Sequence, residues 1–524
     1  MATPPAPADA LPMTLLRRCW WIAALLLAGC AQLPSRPDVP EQRAIGVADG
    51  TRLDAEVAPA AARHPGESGF RLVADGLEAF ALRGYTSRAA GRSLDIQSYI
   101  WHDDLTGRLL AAEVLDAADR GVRVRVLLDD LDARAKSQVL LALDHHPNIS
   151  IRVYNPFATR DGMLGTALEF AGSFKRVNRR AHNKSWIVDG RVAITGGRNV
   201  GNEYFMASPE ANFQDLDLLV AGPAVDALEA AFDGYWNSTM AWPIRAVDPD
   251  MPATLTLATV RANLRKPARD AGDSEWIAAL GDSDALARIR TGYLGMRWTR
   301  QWRLLHDAPD KLATPIPEAR PSPVLAGLRD AMEAGAGDIA IISPYFVPGD
   351  GGTEALLAGA RNGRPIRILT NSLASNDVAA VHGGYVRARE ALVRGGVRLW
   401  ELKPRQDQAA GSLFGSSGAR LHGKAAVIDR RTLFVGSLNL DPRSIQLNSE
   451  QGLLVTDEAL AGQLLGLFET MTSPAHAWAI EWDAARQRLL WRDAGGTRDR
   501  EPDASFGRRA VARLAYWLPV DPLL

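Results

Sequence analysis

Cysteine is nearly absent from this 524-residue chain, and the two that occur, Cys19 and Cys30, both lie near the N-terminus. That excludes a disulfide framework or a cysteine-rich zinc site in the body. An excess of one charge is lacking as well, since 60 Lys and Arg face 61 Asp and Glu. Without a global basic field the composition speaks against nucleic acid as a partner. Beyond Cys30 no apolar run is long enough to span a bilayer. Histidine is scarce too, nine in all, so a pattern that repeats around it carries weight.

Such a pattern is present. His182, Lys184, Asp189, Gly196-Gly197 and Asn199 recur as His422, Lys424, Asp429, Gly436-Ser437 and Asn439, both copies spaced H-x-K-x4-D-x6-G-[GS]-x-N at one constant offset. The neighbourhood recurs with it. Ser93–Trp101, Val122–Leu128 and Ile151–Tyr154 read as strands separated by helices, one of them capped by Thr106, and Ile339–Tyr345, Ile366–Thr370 and Val397–Leu402 replay them. The β-α-β order implies parallel strands with crossover helices. Phe213–Val220 and Asn448–Val455 align on their terminal valines, which puts Glu450 where Asp215 stands.

The expected architecture is therefore α/β, with two tandem sandwich domains related by a pseudo-two-fold and a site at their interface. The expected division is a signal peptide over 1–29, a tether with little fixed structure over 30–65, a first domain over 66–242 opening with a helix near Ser68, an insertion over 243–321, a second domain over 322–475 and an extension over 476–524. Within the insertion, Met296–Arg303 is rich in Trp and Arg; it fits a lipid-facing surface or inter-domain packing. Ser505–Leu518 spaces Phe506, Val511, Leu514 and Trp517 nearly helically with Arg508, Arg509 and Arg513 between them; it fits a membrane-touching helix or one docked on the body.

At the N-terminus Arg17 and Arg18 precede the apolar run Cys19–Gly29, too short to cross a bilayer comfortably but suited to a signal peptide. Its end, Leu27-Ala28-Gly29-Cys30, resembles the lipobox of bacterial lipoproteins, which implies lipidation of Cys30. An ordinary cleaved signal and an uncleaved anchor are the competing readings. Ala31 after the cysteine implies, by the same resemblance, delivery to the outer membrane, with the body a monomer on the periplasmic face of a membrane surface.

The duplicated motif has the parts that displacement at a phosphodiester needs. A neutral imidazole can attack phosphorus and a second can donate to the leaving oxygen. Lys184 and Lys424 supply positive charge and Asn199 and Asn439 hydrogen bonds for the non-bridging oxygens, so no metal and no cofactor is required. Each imidazole needs an acceptor on its far nitrogen, and sequence order assigns Asp215 to His182 and Glu450 to His422. Asp189 and Asp429 read as turn and scaffold residues. Gly197 allows a close backbone approach, Ser437 offers a further phosphate hydrogen bond, and His382 could line a headgroup pocket or sit in the core.

The paired motifs resemble the HKD signatures of the phospholipase D superfamily. Val177–Lys184, Gly196–Asn199 and Asn371–His382 are similar to bacterial cardiolipin synthases of the C type. The resemblance implies two phospholipase D-like domains and transfer of a phosphatidyl group through a phosphohistidine, with phosphatidylglycerol and phosphatidylethanolamine as lipid partners and cardiolipin as product. It also implies His182 as nucleophile and His422 as acid and base. Hydrolysis by a phospholipase D is the rival reading, and a nucleic-acid phosphodiesterase is disfavoured by charge and by the lipid tether.

Overall fold

The computed structural model describes residues 33–160, 169, 173–174, 176–270, 274–283, 295–313, 322–404 and 420–517. Cys30 and most of Ala158–Phe174, which reads in the sequence as a loop walling the site, lie outside them.

The first half supplies β1 (Ser68–Val73), β2 (Ser93–Ser98), β3 (Arg123–Asp129), β4 (Ile149–Tyr154), β5 (Ser185–Val188), β6 (Val192–Gly196), β7 (Phe213–Gln214), β8 (Asp217–Ala221) and β9 (Ala241–Pro243). Two short strands follow, β10 (Arg297–Thr299) and β11 (Trp302–His306). The second half adds β12 (Ile339–Ile342), β13 (Ile366–Asn371), β14 (Arg398–Leu402), β15 (Arg420–Leu421), β16 (Lys424–Ile428), β17 (Thr432–Gly436), β18 (Gln451–Thr456), β19 (Ala477–Asp483), β20 (Arg488–Asp493) and β21 (Gly496–Arg498).

One sheet runs β10-β1-β8-β6-β5-β2-β3-β4-β9 and another β11-β18-β17-β16-β12-β13-β14-β19-β20-β21. From β8 to β9 and from β18 to β19 the order is the same, so the duplication extends to topology. β2, β3 and β4 are parallel, as are β12, β13 and β14. Both faces of these strands are covered, so even the polar residues of β2 are buried, and Asp95 is paired there with Arg125 of β3 at 2.7 Å. On one face of each sheet lie crossover helices such as Leu105–Asp119. On the other, a shared core joins Leu218, Val220, Leu228 and Phe232 to Ala340, Leu369, Val427, Leu453 and Leu464. Each Val, Leu or Phe among them contributes about 1.5–3 kcal/mol when removed from water, and this holds the halves face to face.

Several local expectations need correction. Residues 33–65 are not a tether without structure. Thr51 and Asp54 form a reciprocal cap on the helix Arg52–Arg63, and upstream the Arg36 guanidinium donates to Ala241 O at 3.1 Å. The sequence reading missed the cap because a Pro/Ala-rich stretch with Pro59 inside it looks like a spacer. Ser68 opens β1 rather than a helix; the helix is Gly76–Ala89, capped by Asp75. The cap of Leu105–Asp119 is Asp104, whose carboxylate accepts from Gly107 N, and not Thr106. The Met296–Arg303 patch contributes to packing: β10 and β11 are strands in the two separate sheets, and Trp298 stacks on His64 with ring centroids 4.9 Å apart, while Arg297, Arg300 and Arg303 stay exposed.

The aspartates of the motif act on the scaffold. Asp189 has φ +55°, and its buried carboxylate accepts from the backbone N–H groups of Gly91, Arg92 and Ser93 at 3.0, 2.7 and 2.9 Å. Asp429, at φ +56°, accepts from Gly337 N at 2.7 Å. Both pin the turn after a motif strand to the start of the neighbouring antiparallel strand, β2 or β12. Asp189→Ala strands three donors and should destabilise the fold by roughly 3 kcal/mol or more. Asp189→Asn should cost less, because Asn keeps one acceptor and tolerates positive φ. Denaturant unfolding of both variants measures the difference.

Candidate active site

Each motif histidine sits just ahead of a strand of its own sheet, on backbone that has crossed to the other half. Ala181 bridges Ser449 in parallel, and His182 N donates to Ser449 O at 2.9 Å. Symmetrically, β15 pairs in parallel with β7, Leu421 opposite Gln214, and His422 N donates to Gln214 O at 2.9 Å. One residue further along each partner is a carboxylate. The assignment of Asp215 to His182 and Glu450 to His422 is therefore overturned: Glu450 Oε2 lies 2.9 Å from His182 Nδ1 and Asp215 Oδ2 lies 2.5 Å from His422 Nδ1. The pseudo-two-fold exchanges the partners, so neither half holds a complete imidazole–carboxylate pair by itself.

His182 Nδ1 also faces Ser437 O at 3.1 Å. A carbonyl can only accept, so Nδ1 carries the hydrogen and Nε2 keeps its lone pair free. Burial, with Lys184 and Lys424 nearby, holds this imidazole well below its ordinary range and hence neutral near pH 7. Glu450 is pushed up to about 7 by burial. Asp215 is equally buried, which by itself would raise it, but His422 and Lys424 hold it below the usual carboxylate range. The two carboxylates thus differ: Asp215 is held below the usual carboxylate range beside His422, while Glu450 is raised above it beside His182. His422, with 13 % of its side chain exposed against 8 % for His182, is the more open of the two.

The lysines flank both rings. Lys184 Nζ donates to His182 O at 2.6 Å, and Lys424 Nζ lies 3.1 and 3.2 Å from the two ring nitrogens of His422. Burial lowers Lys184 to about 7 and Lys424 to about 8. The charged forms are complete below these values and are lost as pH rises through them. The expected result is an alkaline limb in kcat/KM starting between pH 7 and 8, read from a pH profile. Lys424→Arg, whose charge persists, should move part of that limb upward.

The other expected residues fall into place or out of it. Asn199 and Asn439 are buried; Asn199 Nδ2 donates to the Tyr204 hydroxyl at 2.8 Å, and among the described residues neither Oδ1 has a partner. Ser437 does not offer its hydroxyl to a phosphate: the Oγ–H donates to Glu450 Oε2, and Gln451 N donates to Oγ at 3.0 Å. Gly197, at the same motif position, faces the other carboxylate, and a Cβ there would lie 2.2 Å from Asp215 Oδ1. Gly197→Ala should shift Asp215, lowering the melting temperature and cutting kcat by ~10-fold or more. A thermal melt beside steady-state kinetics reads both.

His382 does not line the site. It is buried in the helix Ala379–Arg394, with Nε2 3.4 Å from Glu501 and its ring 5.3 Å from Tyr385. That helix is covered by the C-terminal helix Phe506–Trp517, so its imidazole is enclosed between elements.

Two backbones exchanged at one cleft, with two imidazoles, two lysines and two carboxylates, constitute a duplicated phosphoryl-transfer site. A family model described as "Cardiolipin synthase, PLD-like domain" matches residues 87–236 and 328–472. The chain belongs to the phospholipase D superfamily. It is 40% identical over 484 residues to cardiolipin synthase C of Escherichia coli (strain K12), spanning 90% of this chain and 100% of that one. Identity to cardiolipin synthase A of Pseudomonas syringae pv. syringae (strain B728a) is 26% over 422 residues, 80% of this chain and 71% of that one. In fold it is similar to a phosphatidylserine synthase from Haemophilus influenzae Rd KW20, at TM-score 0.52 and 13% identity over 81% of this chain and 91% of that one.

This phospholipase D-type site also contains three aromatic residues that sequence reasoning missed. Tyr99 packs edge-on to His182 at 5.0 Å, while Tyr204 and Phe213 pack on His422 at 5.2 and 5.1 Å. Repetition could not flag Tyr99. Leu94 stands opposite Val188 as Ile339 stands opposite Ile428, and that register puts Pro344 where Tyr99 stands in the first half. The departure from symmetry makes the two histidines chemically distinct.

Proposed function

We propose that this cleft transfers a phosphatidyl group between phospholipids and makes cardiolipin. The observation that carries the reading is the pair of imidazoles, each oriented by a carboxylate from the opposite half and flanked by a lysine. Nε2 of neutral His182 attacks phosphorus, and the bond to the leaving headgroup breaks as that alcohol takes a proton from His422. The resulting phosphatidyl-histidine is attacked by the glycerol hydroxyl of a phosphatidylglycerol, whose proton returns to His422, and His182 is released. Buried Lys184 and Lys424 stabilise the charge on the non-bridging oxygens in a low-dielectric site. Burial and Lys424 hold His422 below its ordinary range too, but the ionised Asp215 offsets part of that and stabilises the imidazolium that forms, and the greater exposure of His422 lets alcohols reach it. Both support His182 as nucleophile and His422 as acid and base.

Full-length similarity to a cardiolipin synthase supports phosphatidylglycerol as acceptor and phosphatidylglycerol or phosphatidylethanolamine as donor. Among the described residues no helix is long and apolar enough to cross a membrane. Lipidation of Cys30 would supply an anchor, holding a monomeric body at the periplasmic face of the outer membrane. The deciding experiment incubates purified protein with labelled phosphatidylglycerol, with and without phosphatidylethanolamine, and identifies the products. Cardiolipin with released glycerol or ethanolamine is the expected result. Phosphatidic acid alone would replace the synthase by a hydrolase.

A further inference from the structure

The helix Phe506–Trp517 is docked with its small side chains inward. Ala512 and Ala515 are buried against the helix Ala379–Arg394, so close that a Cβ on Gly383 would meet Ala512 O at 2.6 Å and Ala515 Cβ at 2.7 Å. Arg387 fastens the contact by donating to Tyr516 O at 3.1 Å. The opposite face carries Phe506, Ala510, Leu514 and Trp517, which are i, i+4, i+8 and i+11 and form one stripe. Phe506, Leu514 and Trp517 are 85%, 62% and 75% exposed. A helix that served only to cap the body would be turned the other way. Arg509 and Arg513, both exposed, lie along one edge of the stripe.

The helix also reaches the catalytic cleft through a short path. Arg508 Nε donates to Leu373 O at 2.9 Å, and Leu373 clusters with Ala504 and Ala512. The same loop ends at Val378, another exposed apolar side chain. At its other end, Asn371 clamps Leu421, accepting from Leu421 N at 3.0 Å and donating to Leu421 O at 2.9 Å. His422 is the next residue.

We infer that the outward stripe of the helix Phe506–Trp517 inserts into the surface of an anionic phospholipid bilayer, with Arg509 and Arg513 against the phosphates, and sets the His422 side of the cleft at that surface. Apolar side chains flanked by arginines match the boundary between acyl chains and anionic headgroups, where each part finds its complement. The reason for a bilayer in particular rests on the phospholipid reading of the site; the surface itself is tested separately.

The test uses the full chain with Cys19→Ser and Cys30→Ser, which leaves Leu514→Cys as the only thiol for an environment-sensitive fluorophore. Phosphatidylglycerol vesicles should shift the emission to the blue, phosphatidylcholine vesicles should do so ~10-fold more weakly, and R509Q/R513Q should move the phosphatidylglycerol titration by about 10–30-fold. Without the label, F506S/W517S should lower turnover of vesicle lipid at least ~10-fold while leaving turnover of monomeric short-chain phosphatidylglycerol unchanged. Docking is overturned if vesicles produce no shift, or if F506S/W517S keeps full turnover on vesicles. It is also overturned by a shift that grows with protein concentration without lipid, which means a second copy, or by a label already shielded before lipid is added, which means the chain covers its own stripe. Failure of the parent protein to turn over either lipid, with the vesicle shift intact, overturns the phospholipid reading of the site and leaves the docking surface standing.

Discussion

Glu450→Gln and Asp215→Asn should fail in different half-reactions, and each should damage the histidine of the opposite half. Asp215 is the ionised partner of His422, so Asp215→Asn removes the charge that favours the imidazolium. A loss of roughly 10²–10⁴ in kcat is expected with a natural headgroup as leaving alcohol. With a phosphatidyl ester of a good leaving group, such as p-nitrophenol, protonation matters little and much of that loss should disappear. Glu450→Gln keeps the hydrogen bond to His182 Nδ1 in shape but takes away the carboxylate that orients the ring and supports its developing positive charge during attack. Its defect should persist with p-nitrophenol, because attack on phosphorus is required for either leaving group. If the sequence-order pairing were right, the two leaving-group responses would be interchanged. Measuring both variants on both substrates therefore tests the exchanged pairing in solution.

His182→Ala should abolish turnover by roughly 10⁴-fold or more and leave no acid-labile phosphoenzyme on any substrate. His422→Ala should be comparably slow on natural lipids. On the p-nitrophenyl ester it should still form phosphatidyl-His182 and release a burst of p-nitrophenol, then stall, because no base activates the incoming hydroxyl. Both imidazoles are lowered by burial, so the asymmetry that motivates this division lies around the rings: His182 packs against Tyr99 with Nε2 free, whereas His422 is more open and faces an ionised Asp215. A trapped covalent adduct on His422 with His182 intact would reverse the assignment. Absence of the His182 adduct in His422→Ala, even on the p-nitrophenyl ester, would mean that His422 is needed for attack as well as for protonation.

Much of this site is legible from residue order, because the motif combines scarce residue types at fixed spacing and occurs twice. Asp189 and Asp429 are recognisable as turn and scaffold residues, since a tight turn right after a strand favours Asp. The parallel strand triplets followed from β-α-β order. Residues 33–65 were misread because composition says little about what a segment packs against. Ser437 was misread for a related reason: a hydroxyl beside a glycine turn looks available until the position of Glu450 is known. His382 reads as a headgroup residue only while the helix Phe506–Trp517 that covers it is out of view.

The sequence alone determined the chemistry: two histidines, two lysines and two acids in a repeated frame, enough for a covalent phosphoryl transfer, together with the fold class that such a repeat builds. The tertiary structure decided which groups act on each other. Asp215 lies 33 residues after His182 in the sequence and Glu450 lies 28 after His422, so proximity along the chain favours the wrong pairs. The backbone ahead of each motif strand leaves its own sheet to hydrogen-bond the acid-bearing segment of the other half, and that register, a property of two packed sheets rather than of either chain segment, puts Glu450 on His182 and Asp215 on His422.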